Sequence, residues 1–391
     1  MEKNNKNKVL LLTLVHPDYL PPVYAIAQSL RDAGSSVHIL TFDSFTTSDF
    51  HPGPGIVVES VGKHHALGVW QRLALRKKYR HRLAQLVAEG QQAIIACCVF
   101  TYLTALKERK STTLAYHAIE IADFVPSAFM RSPLSNLNNK LALDRVHMAS
   151  FVSTPSVQRS AWLAGRCQLS FMPHAIQNAS YLPASQPGKD VEIFRRVVPE
   201  YFYDKNIVLY TGGVRPHLCI KELVAAFLYL RDKDSALVVT GLKDDEYSQR
   251  IKGLVAASDF GNHVLLLPYV SRAEMLSLQA NAHVGVCLMQ ENDRDLESKM
   301  MAPNKVGEYL MRGLYVLGTD SVYMQQFDWM QVATLAKSVA EQPLAQALEK
   351  ALQAVATPGY KDRITDCVTR YYNMQIQAID LVQWATYSHL R

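Results

Sequence analysis

The chain has 391 residues, 49% hydrophobic and 19% charged, with 18 glycines and 17 prolines scattered rather than periodic. That composition excludes a disordered or fibrous chain, and the length suits two or three globular domains of about 150 residues each. Lysine plus arginine against aspartate plus glutamate is 41 − 35, a net charge of +6, too thin over this length to mark a nucleic-acid binder.

The basic start, Met1 to Lys6, precedes an apolar run from Val9 to Val15 that Thr13 interrupts and His16-Pro17-Asp18 ends. With no small-residue cleavage site behind it, the run reads as a buried first strand and not as a signal peptide. A helix follows from about Pro22 to Ala33, with Ile26, Leu30 and Ala33 on one face and Gly34 as its stop. Val37 to Phe42 is a second strand, and β-α-β order implies a parallel sheet covered on both faces. The segment 69–83 carries six Lys or Arg in fifteen residues, among them Arg76, Lys77, Lys78 and Arg80, with Trp70, Leu73 and Tyr79 interleaved. It reads either as a solvated basic helix or as one suited to an anionic membrane surface. Cys167 to Gly188 is the longest stretch without formal charge, but Pro173, Pro183 and Pro187 disqualify it as a membrane span. Its Pro/Ser/Gln-rich end, Tyr181 to Lys189, is the natural linker.

The pattern then restarts. Asn206 to Thr211 reads as a strand, Gly212-Gly213 as a tight loop, Lys221 to Leu230 as an amphipathic helix and Ala236 to Thr240 as a strand ending at Gly241. Strands at 264–267, 284–288 and 315–318 alternate with helices around 272–281 and 304–312. After Pro358-Gly359 the chain reads as helical to its end, with Val368, Tyr371, Tyr372, Ile376, Ile379 and Val382 as an apolar stripe. None of the six cysteines (Cys97, Cys98, Cys167, Cys219, Cys287, Cys367) forms a C-x-x-C pair, so they read as core thiols.

Doubly wound sheets bind ligands at the carboxyl ends of their strands. No G-x-G-x-x-G occurs, which argues against a dinucleotide enzyme. In Tyr210-Thr-Gly-Gly-Val-Arg-Pro-His-Leu-Cys-Ile-Lys-Glu222, Gly212 and Gly213 admit a phosphate to backbone N–H groups at a helix start, and Arg215 and Lys221 offer it two positive charges. The alternative is a surface loop with two solvated cations. Downstream, Pro303 suits N1 of a helix that carries Lys305, Glu308 and Arg312 three and four residues apart. These form either an ion-pair ladder or a site whose carboxylate accepts ribose hydroxyls. Asp293-Arg-Asp295 spells D-x-D, a pair of carboxylates that could ligate a metal, but sits in a charged loop and reads as solvent-exposed.

These segments resemble nucleotide-sugar-dependent glycosyltransferases of the GT-B fold, retaining family 4 type. Gly212-Gly213-Val-Arg215-x5-Lys221-Glu-Leu resembles the family's diphosphate loop, whose Arg and Lys hold the leaving group. Pro303-Asn304-Lys305-Val306-x-Glu308-Tyr309-Leu310-x-x-Gly313-Leu-Tyr-Val316 resembles its "PNK…EY…G…V" block, whose Glu binds the ribose. The match spans about 206–320. Two departures stand out. Met300 occupies the place of an earlier family Glu, eight residues before the ribose-binding one. Leu114 to Ile121 resembles the strand end bearing the family's His or His-Glu: alignment on the His gives His117, and alignment on the carboxylate gives Glu120.

The resemblance implies two Rossmann-like domains facing a cleft: residues 1–186 on the acceptor side, 187–360 on the nucleotide-sugar side, and 361–391 as a helix crossing back to the first domain. It implies a retaining hexosyl transfer from a UDP- or GDP-sugar to an acceptor hydroxyl, as in bacterial polysaccharide or glycolipid synthesis. Arg215, Lys221, His117 and Glu120 would be catalytic, and Gly212, Gly213, Pro303, Asn304, Lys305 and Glu308 would bind the donor. Domain closure would keep water out. The nucleotide-sugar is a substrate, and neither a cofactor nor a metal is expected. The acceptor is a carbohydrate or a lipid-linked one, at the inner face of the cell membrane if the enzyme is peripheral and otherwise in the cytoplasm. A nucleotide-sugar epimerase on the same fold is a rival, as is an inactive partner subunit, which Met300 favours.

Overall fold

The continuous apolar runs of both halves become buried parallel strands. The structure is a computed structural model that describes residues 7–43, 52–63, 67–120, 133–181, 191–290 and 300–387. The chain divides into two compact units, Met1–Tyr181 with Met374–Arg391, and Leu182–Asn373.

Unit 1 opens with β1 (Lys8–Leu12), α1 (Pro21–Asp32), β2 (Ser36–Asp43), β3 (Ile56–Lys63) and α2 (Val69–Ala88). It continues with β4 (Ala93–Ala96), α3 (Val99–Glu108), β5 (Thr113–His117), α4 (Pro133–Leu143), β6 (Phe151–Thr154), α5 (Val157–Cys167) and β7 (His174–Ala175). The seven strands lie in the order β3-β2-β1-β4-β5-β6-β7, with every pair parallel. Period-2 alternation sends Leu10 and Leu12 into a core with Tyr79, Leu83 and Leu86 of α2, and Val9 and Leu11 into another with Val23, Ile26 and Leu30 of α1. A central strand with helices on both faces has no polar face.

Unit 2 repeats the plan with α6 (Val191–Val197), β8 (Asn206–Tyr210), α7 (Ile220–Leu230), β9 (Ser235–Leu242), α8 (Glu246–Ala256), β10 (Val264–Pro268) and α9 (Arg272–Asn281). Then come β11 (Val284–Cys287), α10 (Asn304–Met311), β12 (Tyr315–Thr319), α11 (Val322–Trp329), β13 (Ala333–Ala336), α12 (Glu341–Ala356) and α13 (Tyr360–Arg370). The sheet order is β10-β9-β8-β11-β12-β13, again all parallel.

The end of the chain departs from the single stripe read in the sequence. Helix α13 belongs to unit 2, where Tyr372, just beyond it, bonds to Tyr323 through their hydroxyls at 2.7 Å. The helix stops at Arg370, and the buried Asn373 donates Nδ2 to the carbonyls of Val368 (2.8 Å) and Thr369 (3.1 Å), taking up groups that a helix end leaves open. Only from Met374 does the chain return to unit 1, later than the expected 361, as α14 (Met374–Gln377) and α15 (Ile379–Tyr387). The break resets the helical register. Met374, Ala378, Leu381 and Ala385 are buried in the α1-side core, while Ile376 and Ile379 of the expected stripe are exposed. The crossing segment is further tied by Asn7 Nδ2 donating to Thr386 O at 2.7 Å and by an Asp380–His174 pair at 2.9 Å.

Candidate functional site

In unit 2 the strand order reverses between β8 and β11, and crevices for ligands open at the carboxyl ends of such strands. Beyond β8 lie Thr211, Gly212 and Gly213. Gly212 has φ +118, a conformation that L side chains rarely adopt. A Cβ at Gly213 would meet the Tyr269 hydroxyl at 2.9 Å, and one at Gly241 (φ +91) would lie 1.9 Å from the Gly212 carbonyl oxygen. Gly241 is therefore the floor on which the loop rests, and Val214 N donates to its carbonyl at 3.3 Å. Gly241 lies within β9 and does not end it, as the sequence pattern had suggested. Among the described residues, neither the N–H of Gly212 nor that of Gly213 has an acceptor.

Helix α10 faces this loop. A Cβ on Gly212 would come within 3.1 Å of Lys305 Cε and 3.3 Å of its Nζ, and the ammonium lies 3.8 Å from the centre of the Tyr210 ring. Burial pushes the Lys305 pKa down to about 8. Tyr309, one turn on, is fully buried and accepts from Thr211 N at 3.1 Å, tying helix to loop. Its ring fills the space that a side chain at Gly285 of β11 would need. Glu308 is largely buried, and its Oε1 pairs with Arg272 Nη1 at 2.7 Å. Pro303 is the N-cap of α10 and not N1, so Asn304 begins the helix.

The structure thus brings Gly212, Gly213 and Lys305 together, with Glu308 on the same helix as Lys305. Arg215 and Lys221 are exposed, and no carboxylate among the described residues pairs with either. Between the Gly212-Gly213 loop and α7 a 3-10 turn, Pro216–Leu218, intervenes, and Cys219 precedes α7 in a left-handed conformation (φ 54). The Lys221 N–H donates to the Tyr247 hydroxyl at 3.1 Å, so that helix-terminal donor is already occupied. Sequence reasoning missed Tyr269 and Arg272. The only local signal for Arg272 is its place behind the capping box Ser271-x-x-Glu274, which fixes the start of α9.

Unit 1 holds the other candidates. His117 ends β5 fully buried; its Nδ1 lies 3.0 Å from Ser153 Oγ, and its buried Nε2 has no partner among the described residues. Desolvation lowers its pKa to about 4, so it is neutral at pH 7. Glu120, three residues on, is exposed. On α2, Trp70 is 82% exposed. Arg76 stacks over the Phe100 ring at 5.1 Å, and Arg80 pairs with Glu108, so two of the four singled-out cations are engaged. Lys77 and Lys78 are exposed with no such partner among the described residues. The cysteines are unpaired, four of them buried. Among the described residues no group of three or more His, Cys, Asp or Glu could hold a metal, and no helix is long and apolar enough to cross a membrane. Asp293 and Asp295 lie outside those residues.

No protein-family model and no curated protein matches the chain. Solved structures match it over nearly its whole length. A sucrose-phosphate synthase from Thermosynechococcus elongatus is 17% identical, with a TM-score of 0.68 over 98% of this chain and 99% of that one. HepE of Anabaena in complex with UDP-glucose is 13% identical, with a TM-score of 0.66 over 96% and 98%. A UDP-N-acetylglucosamine 2-epimerase candidate from Listeria monocytogenes is 11% identical, with a TM-score of 0.61 over 98% and 97%. The chain has the GT-B fold.

Proposed function

We propose that the chain transfers a sugar from a UDP- or GDP-sugar to an acceptor hydroxyl, and that unit 2 binds the donor. The observation that carries this reading is the loop after β8, where two N–H groups lie beside the Lys305 ammonium and, among the described residues, have no acceptor, and where Arg215 on the same segment has no carboxylate partner among those residues. That is the chemistry of a diphosphate site. HepE, solved with UDP-glucose, supplies a structural parallel for the donor class.

In the step, the bond from the anomeric carbon to the diphosphate oxygen breaks and its electron pair leaves with the diphosphate. A bond to the acceptor oxygen forms, and the acceptor hydroxyl's proton passes to the departing diphosphate oxygen or to water. Arg215, Lys221 and Lys305 stabilise the growing negative charge. Glu308, held by Arg272, accepts from the ribose hydroxyls, and Pro303 and Asn304 set the helix that presents it. Retention of configuration rests on the family resemblance alone, as does service in polysaccharide or glycolipid synthesis in the cytoplasm. No metal enters the scheme, because the cations and N–H groups face the diphosphate directly. Of the two strand-end candidates in unit 1, the exposed Glu120 is the one a substrate can reach, whereas His117 would first have to leave its pocket against Ser153.

Nucleoside diphosphate release from a panel of nucleotide-sugars, with EDTA present, tests the reading. Arg215→Ala and Lys221→Ala are each expected to lower kcat by a factor on the order of 10²–10³ without unfolding the chain. Near-native turnover in both would overturn it. The Listeria neighbour keeps a second reading open: conversion of UDP-GlcNAc to an epimer without acceptor would replace transfer by epimerisation.

A further inference from the structure

Helix α2 has two parts. From Leu75 onward one face packs into the core through Tyr79, Leu83, Leu86 and Val87, with Leu75 itself half-buried. The six residues before it, Val69 to Ala74, are all exposed. Trp70 and Val69 are 82% and 71% exposed and Leu73 is 46% exposed, so a turn and a half of helix presents three large apolar side chains to solvent. An unpacked helix end has little stability of its own. At 100° per residue, Trp70, Leu73, Ala74 and Lys77 share the face opposite the buried one, with Lys78 beside them. The helix contains no Asp or Glu. Arg80 is neutralised by Glu108 and Arg82 by Glu59, and Arg76 lies on Phe100. Arg72 points to the other side of the helix and donates Nε to the Leu67 carbonyl at 2.9 Å, so Lys77 and Lys78 carry the outward charge on the side of the tryptophan.

We propose that the first two turns of α2 are a docking tip for an anionic lipid bilayer. Trp70, with Val69 and Leu73, enters the headgroup region, where an indole finds both apolar and polar surroundings, and Lys77 and Lys78 face the lipid phosphates. This goes beyond the donor reading and implies an acceptor presented at a membrane. It does not depend on that reading, because the tip lies in unit 1 and the nucleotide residues lie in unit 2.

Flotation of the full chain with phosphatidylcholine vesicles, with and without phosphatidylglycerol, tests it. The wild type is expected to float only with the anionic vesicles and to be released as salt rises from about 50 to about 500 mM. Trp70→Ser, and separately the pair Lys77→Gln and Lys78→Gln, are each expected to weaken binding on the order of tenfold, whereas Arg80→Gln should leave it nearly unchanged. Nucleoside diphosphate binding should be the same in all these variants, so a failure here leaves the donor site untouched. Three results would overturn the proposal: no binding to anionic vesicles at low salt, equal binding by wild type and Trp70→Ser, or a Trp70-dependent dimer in light scattering, which would make a second copy the occupant.

Discussion

The two units share a parallel-sheet plan, but the turns that follow their first strands differ in what fills them. After β1 the chain runs through Thr13, His16 and Pro17 without a glycine before α1. Side chains fill that turn: Thr13 Oγ1 bonds to the Val15 carbonyl at 3.1 Å, and Asp18 N donates to His16 Nδ1 at 3.3 Å. After β8 the equivalent place is Gly212-Gly213, with Gly241 beneath and Lys305 above. The same parallel-sheet topology places a turn at this position twice. Three missing side chains and one added cation distinguish the second turn from the first, and they are what the proposed phosphate site rests on.

Glycine substitutions break the comparison most severely. Gly90 in unit 1 also has positive φ (+88), but a Cβ there meets nothing within 4 Å. Gly90→Ala is expected to cost about 1 kcal/mol of backbone strain and to leave nucleotide binding intact. Gly241→Ala adds a 1.9 Å collision with the Gly212 carbonyl, backbone against backbone. It is expected to cost about 2–4 kcal/mol and to abolish nucleoside diphosphate binding, as measured by denaturant unfolding and calorimetry. Equal, small losses at both positions would mean that Gly241 is not the floor on which the Gly212-Gly213 loop rests.

A smaller effect sharpens the same contrast through pH. Burial holds Lys305 near pKa 8, so the free site is cationic below that pH and loses its charge above it. A bound diphosphate favours the ammonium. Nucleoside diphosphate affinity is therefore expected to fall as pH rises through about 8, on the order of tenfold by pH 9.5, and Lys305→Met should flatten the profile. The sign for stability is opposite. A lysine whose folded pKa is depressed opposes folding while charged, so this residue's contribution to stability improves from about pH 8 toward the unfolded value of 10.5. Affinity that is flat across this range in the wild type would place Lys305 away from the phosphates.

Much of this was legible in the sequence because parallel strands buried on both faces read as uninterrupted apolar runs, and because Gly212-Gly213 and the 303–316 block are local patterns. What stayed hidden depends on distant contacts. Arg272 reaches Glu308 from another helix, and Tyr269 touches Gly213 from the end of another strand. Nothing local at His117 announces that Ser153 and complete burial surround it. The terminal stripe misled because one helical period was carried through residues 371–373, where Asn373 ends α13 and a new register begins. Basic residues on α2 looked alike in sequence, and only the fold separates Arg76 on Phe100 and Arg80 on Glu108 from the outward Lys77 and Lys78.

The central claim is that unit 2, at the end of β8, holds the diphosphate. Amide hydrogen exchange with and without UDP or GDP tests it most directly, since a ligand that binds the native state slows local opening where it binds. Slower exchange is expected at Gly212 to Val214 and in the first turn of α10, with no change at the ends of β1 and β4 in unit 1. Protection that instead appeared at the strand ends of unit 1, or nowhere at saturating nucleotide, would contradict the account.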